Sequence, residues 1–170
     1  MSLRKTNISA LKKGDAVAVI STARKVSPSE LDFAITKIKS WGLNVCFGKN
    51  LFKKQQQFAG TIKERSEDLQ WALDDNNIKA VFFARGGYGS VHVVDSVDWQ
   101  TFTTNPKWLI GFSDITVFHS HVHQCFNIPT LHAAMPITYL KNTDGAINNI
   151  RDILFGEKVA YKFEGHSFNK

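Results

Sequence analysis

Cysteine is scarce in this sequence, with only Cys46 and Cys125 among 170 residues. Each lies in an apolar stretch, and neither has a neighbour at the spacing of a metal site or of a disulfide framework. No apolar run is long enough for a transmembrane helix, and none follows the basic N-terminus as it would in a signal peptide. These absences favour a cytoplasmic protein without a membrane partner, a metal or a cofactor.

Clustered positive charge is also missing, although basic residues outnumber acidic ones by 21 to 15 and the net charge is +6. No five basic residues stand together, and the lysines are scattered along the chain. Nucleic-acid sites concentrate their cations, whereas a scattered excess is typical of a solvated basic surface. We therefore expect no nucleic-acid partner. The remaining composition, 43% hydrophobic and 21% charged, is that of an ordinary globular domain.

Short apolar runs alternate with amphipathic helical patterns along the chain. The runs predict five strands, at residues 15–23, 43–47, 78–84, 107–112 and 129–133. The patterns between and after them predict helices at residues 28–41, 62–76, 90–97, 115–126 and 145–155. Two of these helices begin with capping-box sequences, at Ser27–Glu30 and Thr61–Glu64. The alternation predicts an α/β fold of three layers, a mostly parallel, flavodoxin-like sheet with helices on both faces.

A glycine-rich segment, Arg85-Gly86-Gly87-Tyr88-Gly89, directly follows the predicted third strand and is called the glycine loop below. Open parallel sheets bind ligands beyond the carboxyl ends of their strands. Glycines permit positive φ angles and let backbone N–H groups approach an anion closely. The spacing differs from a dinucleotide-binding fingerprint. Two interpretations stand: a loop that donates to a phosphate, carboxylate or oxyanion, and a tight turn that needs glycine for its geometry alone.

The second unusual segment, Gly111-Phe112-Ser113-Asp114, joins a predicted strand to a predicted helix and is called the elbow below. A serine on so sharp a turn exposes its hydroxyl, and the N–H of Asp114 is then free to stabilise a reacting oxygen. The segment is not the G-x-S-x-G motif of α/β hydrolases, because residue 115 is isoleucine. Ser113 is either a nucleophile or, with Asp114, a simple helix cap.

Histidines are the candidate bases and metal ligands. His119 and His123 stand four residues apart on one predicted helix, but no acidic ligand accompanies them, so packed or exposed histidines are the simpler interpretation. His132, at the end of the fifth predicted strand, either lines the site or packs. A serine nucleophile needs a base and a group that orients the base. No such pair is evident in the sequence, which leaves the site incomplete.

The ordered set of motifs resembles the LD-carboxypeptidases, serine peptidases of murein recycling whose family includes the microcin C immunity peptidases. The resemblance covers nearly the whole chain from residue 11. It rests on Lys13-Gly14-Asp15, Phe58-Ala59-Gly60-Thr61, Glu64-Arg65, Asp68-Leu69, Ala84 with the glycine loop, Pro106-Lys107, the elbow with Ile115-Thr116, and Leu131-His132-Ala133-Ala134-Met135-Pro136. Phe112 stands where family members usually have tyrosine, and Ala133 stands where they often have glycine.

The resemblance implies that Ser113 is the catalytic serine and that the N–H groups of Asp114 and Gly87 form an oxyanion hole. It implies substrate contacts from the rest of the site, with Arg85, Gly86, Tyr88 and His132 as candidates. Arg85 either pairs with a substrate carboxylate or with an acidic neighbour. The implied substrate is a muropeptide that loses its terminal D-alanine, or in the microcin branch an amide of a modified nucleotide. No cofactor or metal is implied, and a homodimer is compatible with the family.

The resemblance also implies a Ser-Glu-His triad whose glutamate and histidine belong to a second domain. We therefore expect an N-terminal extension at residues 1–10, a nucleophile-bearing α/β domain at residues 11–156, and the start of a linker at residues 157–170, in which residues 159–163 resemble a strand. Without its base the 170-residue chain should be inactive. An alternative of another class is a flavodoxin-like module that binds an anion or nucleotide without catalysis.

Overall fold

The fold was analysed in a computed structural model that describes residues 8–161 together with residues 165 and 168. Five strands form one sheet in the order β2-β1-β3-β4-β5, and every neighbouring pair is parallel. The strands are β1 (Ala16–Ile20), β2 (Asn44–Phe47), β3 (Ile78–Phe83), β4 (Trp108–Gly111) and β5 (Leu131–His132). This is the flavodoxin-like strand order, so the predicted α/β fold is confirmed.

Five α-helices connect or follow the strands: α1 (Pro28–Ser40), α2 (Ile62–Asp74), α3 (Gln100–Thr104), α4 (Thr116–Phe126) and α5 (Asp144–Leu154). The helix predicted at residues 90–97 is instead two short 3-10 turns, Ser90–His92 and Val94–Ser96. Helix α3 and a 3-10 helix at Pro136–Lys141 were not predicted. Within the described residues, none of the helices is both long and apolar enough to cross a membrane.

Several predicted boundaries differ from the structure, and β1, predicted at residues 15–23, already ends at Ile20. Strand β5 has two residues, because only Ile110 and Gly111 of β4 offer it a partner. Residues 159–161 are not a strand, and residues 162–163 of the same prediction lie outside the described residues. Helix α4 is entered through a 3-10 turn, Ser113–Ile115, so the elbow is tighter than an α-helical start would make it.

Both predicted capping boxes close the starts of their helices. The Glu64 carboxylate accepts the backbone N–H of Thr61 at 2.8 Å, and the Thr61 hydroxyl accepts the N–H of Glu64 at 3.1 Å. At α1 the Glu30 carboxylate accepts both the N–H and the hydroxyl of Ser27, each at 2.8 Å. These local bonds start α1 and α2 at the positions that the sequence indicates.

The sheet is buried on both faces, which places its core in two layers. One layer packs α1 and α5 on the sheet, and its centre includes Val17, Val19, Leu31, Ile38, Phe82, Ile110, Ile150 and Leu154. The other packs α2, α3 and α4 on the opposite face, and its centre includes Ile20, Leu69, Leu73, Phe83, Phe102, Leu109, Phe118 and Val122. Burial of this apolar area is the main force that holds the strands in place.

The strand order changes direction at the junction of β1 and β3, because the chain crosses to β2 on one side and to β4 on the other. At such a switch point the loops that leave adjacent strands diverge and open a crevice. Residues 21–26 follow β1, the glycine loop follows β3, and the elbow follows β4. The fold therefore gathers the two segments singled out from the sequence at one edge of the sheet.

Candidate active site

The elbow holds Ser113 in a left-handed backbone conformation, with a φ angle of 60°. A residue other than glycine pays about 1 kcal/mol or more for this conformation, so the surrounding structure must impose it. Gly111 is part of that constraint: a β-carbon at residue 111 would lie 2.8 Å from Cγ2 of Ile115. The close packing of Ile115 over Gly111 turns the chain sharply and leaves Ser113 exposed.

Ser113 lines an open cavity of about 500 Å³ between the glycine loop and the 3-10 helix Pro136–Lys141. Arg85, Gly86 and Gly87 lie on the same cavity. The remaining lining residues are Arg24, Glu30, Phe112, Met135, Ile137, Thr138, Leu140 and Lys141. Four of the predicted site residues therefore meet in one cavity, although the elbow and the glycine loop are separated by more than twenty residues of sequence.

Two backbone N–H groups are available beside Ser113. A β-carbon at Gly86 would lie 3.4 Å from the backbone nitrogen of Asp114, so the glycine loop and the elbow are in close contact. Gly87 has a φ angle of 118°, which only glycine adopts easily. Neither the N–H of Asp114 nor that of Gly87 donates to another group in the described residues. Such unpaired donors at the start of a helix and in a glycine-rich turn are suited to an oxyanion.

The Asp114 side chain ties the elbow to the segment after the glycine loop. Its Oδ2 accepts the backbone N–H of Ser90 at 2.9 Å, and the Ser90 hydroxyl lies 3.0 Å from that of Thr22. This chain of contacts joins the ends of β4, β3 and β1. The carboxylate of Asp114 is thus engaged structurally, while its own backbone N–H remains unpaired.

Arg65 supports the same region from beneath, with 2% of its surface exposed. Its guanidinium donates to the carbonyls of Thr22 at 2.5 Å and Gly89 at 2.9 Å, and it lies 5.0 Å from the centre of the Phe58 ring. Burial lowers the pKa of Arg65, and the carboxylate of Asp114 opposes that shift. Sequence reasoning missed this role, because an arginine in the first turns of a helix resembles a surface cation.

Arg85 is already paired in this structure. One of its nitrogens lies 3.7 Å from a Glu30 carboxylate oxygen and donates to the Lys25 carbonyl at 3.3 Å. Hydrogen bonds from Ser27 lower the pKa of the Glu30 carboxyl, and the charge of Arg85 lowers it further. Arg85 was predicted to pair either with a substrate carboxylate or with an acidic neighbour. In this structure it pairs with an acidic neighbour, Glu30.

Three predicted site residues do not line the cavity of Ser113: Asp114, which contacts the glycine loop as described above, Tyr88 and His132. Tyr88 is exposed and packs its ring against Phe58 and His92. His132 lies beside Phe112, with their ring centres 6.3 Å apart, and lines a neighbouring cavity of about 410 Å³. In this structure Tyr88 and His132 therefore do not share the cavity that Ser113 lines.

His119 supports the elbow. It is buried, and its Nε2 donates to the Gly111 carbonyl at 2.9 Å. Burial lowers the pKa of His119, which favours the neutral imidazole. His123 is exposed on the same helix. Within the described residues, no three His, Cys, Asp or Glu side chains are grouped so that they could hold a metal ion.

The Ser113 hydroxyl has no hydrogen-bonded base among residues 8–161. No side chain in that range forms a hydrogen bond with the Ser113 hydroxyl. The arrangement thus offers a serine on a constrained turn and two unpaired N–H donors, which are the parts of an acyl-transfer site that bind and stabilise an oxyanion.

Comparison with known proteins identifies the class to which this arrangement belongs. Residues 17–133 match the LD-carboxypeptidase N-terminal domain, and the chain belongs to this family. It is 34% identical over 153 residues to the "Probable murein peptide carboxypeptidase" of Bacillus subtilis strain 168, a match that covers 90% of this chain and 46% of that protein. Because this relative is named as a carboxypeptidase, the family is one of peptidases.

A further relative is similar in sequence, and a solved structure is similar in fold. The chain is 33% identical over 117 residues to the murein tetrapeptide carboxypeptidase of Pseudomonas aeruginosa, which covers 68% of this chain and 38% of that protein. A solved structure of the microcin C7 self immunity protein MccF with aspartyl sulfamoyl adenosine has the same fold, with a TM-score of 0.82 at 21% identity over 92% of this chain and 50% of that one. The chain spans about half the length of the curated relatives it matches.

Proposed function

We propose that this chain is the nucleophile-bearing half of a serine-type LD-carboxypeptidase that releases terminal D-alanine from muropeptides. The observation that carries the proposal is the left-handed Ser113 at the elbow, in contact with a glycine loop whose N–H donors are unpaired. A serine that only caps a helix does not require this strained conformation or a second loop beside it. The murein peptidase names of the relatives support the choice of substrate.

In the proposed reaction the Ser113 hydroxyl oxygen attacks the carbonyl carbon before the terminal D-alanine, and a base takes the hydroxyl proton. The N–H groups of Asp114 and Gly87 donate to the oxyanion of the tetrahedral intermediate. The carbon–nitrogen bond then breaks, and the leaving amine receives the proton. Water hydrolyses the resulting ester and restores the serine. Each preorganised oxyanion donor is typically worth about 10²–10³-fold in rate.

The proposed base and its orienting partner are a histidine and a glutamate outside this chain. The greater length of the relatives supports this assignment, as does the lack of a partner for the Ser113 hydroxyl within residues 8–161. In this proposal residues 11–156 form the nucleophile domain, after an N-terminal extension at residues 1–10, and residues 157–170 lead towards the second domain. The reaction as proposed requires no cofactor. A homodimer and a cytoplasmic location stay predictions.

A second candidate is an amide hydrolase of the microcin C immunity type. The likeness of the fold to MccF in complex with aspartyl sulfamoyl adenosine favours keeping this candidate. Both candidates use the same Ser113 chemistry and differ in the group that occupies the leaving side of the cavity. Parallel assays with a murein tetrapeptide and with an aminoacyl sulfamoyl adenosine distinguish them, because only one should be turned over efficiently.

The nucleophile assignment is tested in a longer protein that contains this chain, by D-alanine release from murein tetrapeptide. Ser113→Ala should lower kcat by about 10⁴-fold or more, because the covalent route is lost. Ser120→Ala, an exposed serine on α4, is the matched control and should retain full activity. The 170-residue chain alone should show almost no turnover. Normal activity of Ser113→Ala would refute the assignment.

A further inference from the structure

The cavity of Ser113 has an excess of positive charge. Arg24, Arg85 and Lys141 line it, and Glu30 is the one acidic residue among its described lining. Arg85 is committed to Glu30 and to a backbone carbonyl, as described above. Lys141 is the last residue of the 3-10 helix Pro136–Lys141, which also contributes to the lining of the cavity. The cavity therefore has more positive than negative charge among its described lining, and such an excess in a concave site favours an anionic ligand.

Arg24 is held rigidly at the backbone although its side chain is exposed. Residues 23–25 pair with residues 57–59 in a short antiparallel bridge, with N–H to carbonyl distances of 3.0 Å on both sides of Arg24. The Ser21 hydroxyl also donates to the Arg24 carbonyl at 2.8 Å. Its guanidinium, by contrast, has no carboxylate within 4.0 Å in the described part of the chain.

The Arg24 side chain lies directly against Gly87. A β-carbon at residue 87 would be 2.7 Å from Cδ and 3.0 Å from Nε of Arg24, so any larger residue there would displace the arginine. Gly87 thus provides room for the arginine stem as well as an unpaired N–H. The unpaired guanidinium and the proposed oxyanion donor are therefore neighbours on one wall of the cavity.

We infer that Arg24 binds the terminal carboxylate of a peptide ligand and selects for free-acid peptides. In a peptide cut before its last residue, that carboxylate is three covalent bonds from the attacked carbonyl carbon. A cation that binds it must lie next to the oxyanion donors, as Arg24 does. Guanidinium matches a carboxylate with two parallel hydrogen bonds. The identity of the peptide rests on the proposed function, whereas the recognition of its carboxylate does not require turnover.

The inference is tested by measuring the binding of peptides to this chain in an NMR titration. The titration follows the backbone N–H and the arginine Nε–H signals. The probes are a short peptide ending in L-Lys-D-Ala and the same peptide as its carboxamide. The wild-type chain should bind the free acid more tightly, with a shift of the Arg24 Nε–H signal. Arg24→Gln should weaken free-acid binding roughly five- to tenfold, the loss of one charge-assisted contact in a solvated site, and leave carboxamide binding within about twofold.

Lys12→Gln is the matched control, since it removes one positive charge at the opposite edge of the sheet, before β1. It should leave both affinities unchanged, and unaltered amide spectra of each variant show that the fold is retained. Arg24→Lys should restore part of the free-acid preference. The inference is overturned if the wild-type chain does not prefer the free acid, or if Arg24→Gln weakens both ligands equally or neither. If Arg24 gives acid-selective binding but the longer protein releases no D-alanine, the proposed reaction is refuted and the inference about Arg24 stands.

Discussion

Lys107 precedes β4 and is buried, with 1% of its surface exposed. Its ammonium group donates to the carbonyls of Ala72 at 2.9 Å and Asp75 at 2.8 Å, at the C-terminal end of α2. Burial lowers the pKa of Lys107 from 10.5 to about 8, although the negative charge of Asp75 opposes the shift. A buried lysine with so low a pKa makes the stability of the fold depend on pH in a predictable direction.

Below pH 8 the lysine is protonated in the folded and the unfolded chain. Between pH 8 and 10.5 the unfolded chain keeps a proton that the folded chain has released, so the contribution of Lys107 to the free energy of unfolding rises with pH. A pKa lowered from 10.5 to about 8 corresponds to a total of about 3 kcal/mol. Most of this contribution should appear between pH 8 and pH 10.

The assay is urea unfolding of the chain and of Lys107→Met at intervals from pH 7 to pH 10. Methionine keeps the length of the side chain and removes the titrating group. The free energy of unfolding of the wild type minus that of the variant should increase by roughly 2–3 kcal/mol over this range. Lys39→Met, at an exposed lysine of α1 that forms no ion pair in the described part of the chain, is the control and should give a constant difference. A constant difference for Lys107→Met would refute the reasoning.

Two further predictions concern the elbow. Gly111→Ala should lower the free energy of unfolding in urea by about 2 kcal/mol, because the new β-carbon would lie 2.8 Å from Ile115. Gly145→Ala in α5, where the nearest atom would be 4.0 Å away, should be neutral or slightly stabilising, and equal losses in the two variants would contradict the packing argument. Asp114→Asn keeps an oxygen that can accept a backbone N–H but removes the charge that favours buried Arg65, so thermal unfolding should show a loss of about 1–2 kcal/mol. An unchanged melting temperature would count against that electrostatic link.

The order of strands and helices was accessible from the sequence because its signals are local. Two capping boxes define the starts of α1 and α2, and apolar runs with flanking glycines define the central strands. The Ser113 elbow was recognisable for the same reason, since a serine between a buried strand and a helix is a pattern of four adjacent residues. The order of motifs then indicated the family before any contact was known.

The neighbours of Ser113 depend instead on contacts between distant segments. Arg24 reaches the site because residues 23–25 pair with residues 57–59 and because Gly87 has no side chain to exclude it. His132 ends its strand as expected, yet it is not among the residues that line the cavity of Ser113. Neither the direction of a side chain at a strand end nor the partner of a cation follows from periodicity.

The sequence by itself therefore determined the class of fold, the elbow serine and the family, because strand periodicity, capping and turn chemistry are properties of neighbouring residues. Only the tertiary structure decided that Arg85 is paired with Glu30, that Arg65 is a buried support of the glycine loop, and that Arg24 is the unpaired cation beside Gly87 within the described residues. The physical reason is that charge pairing and burial depend on distances across the fold, which the packing of helices on both faces of the sheet sets.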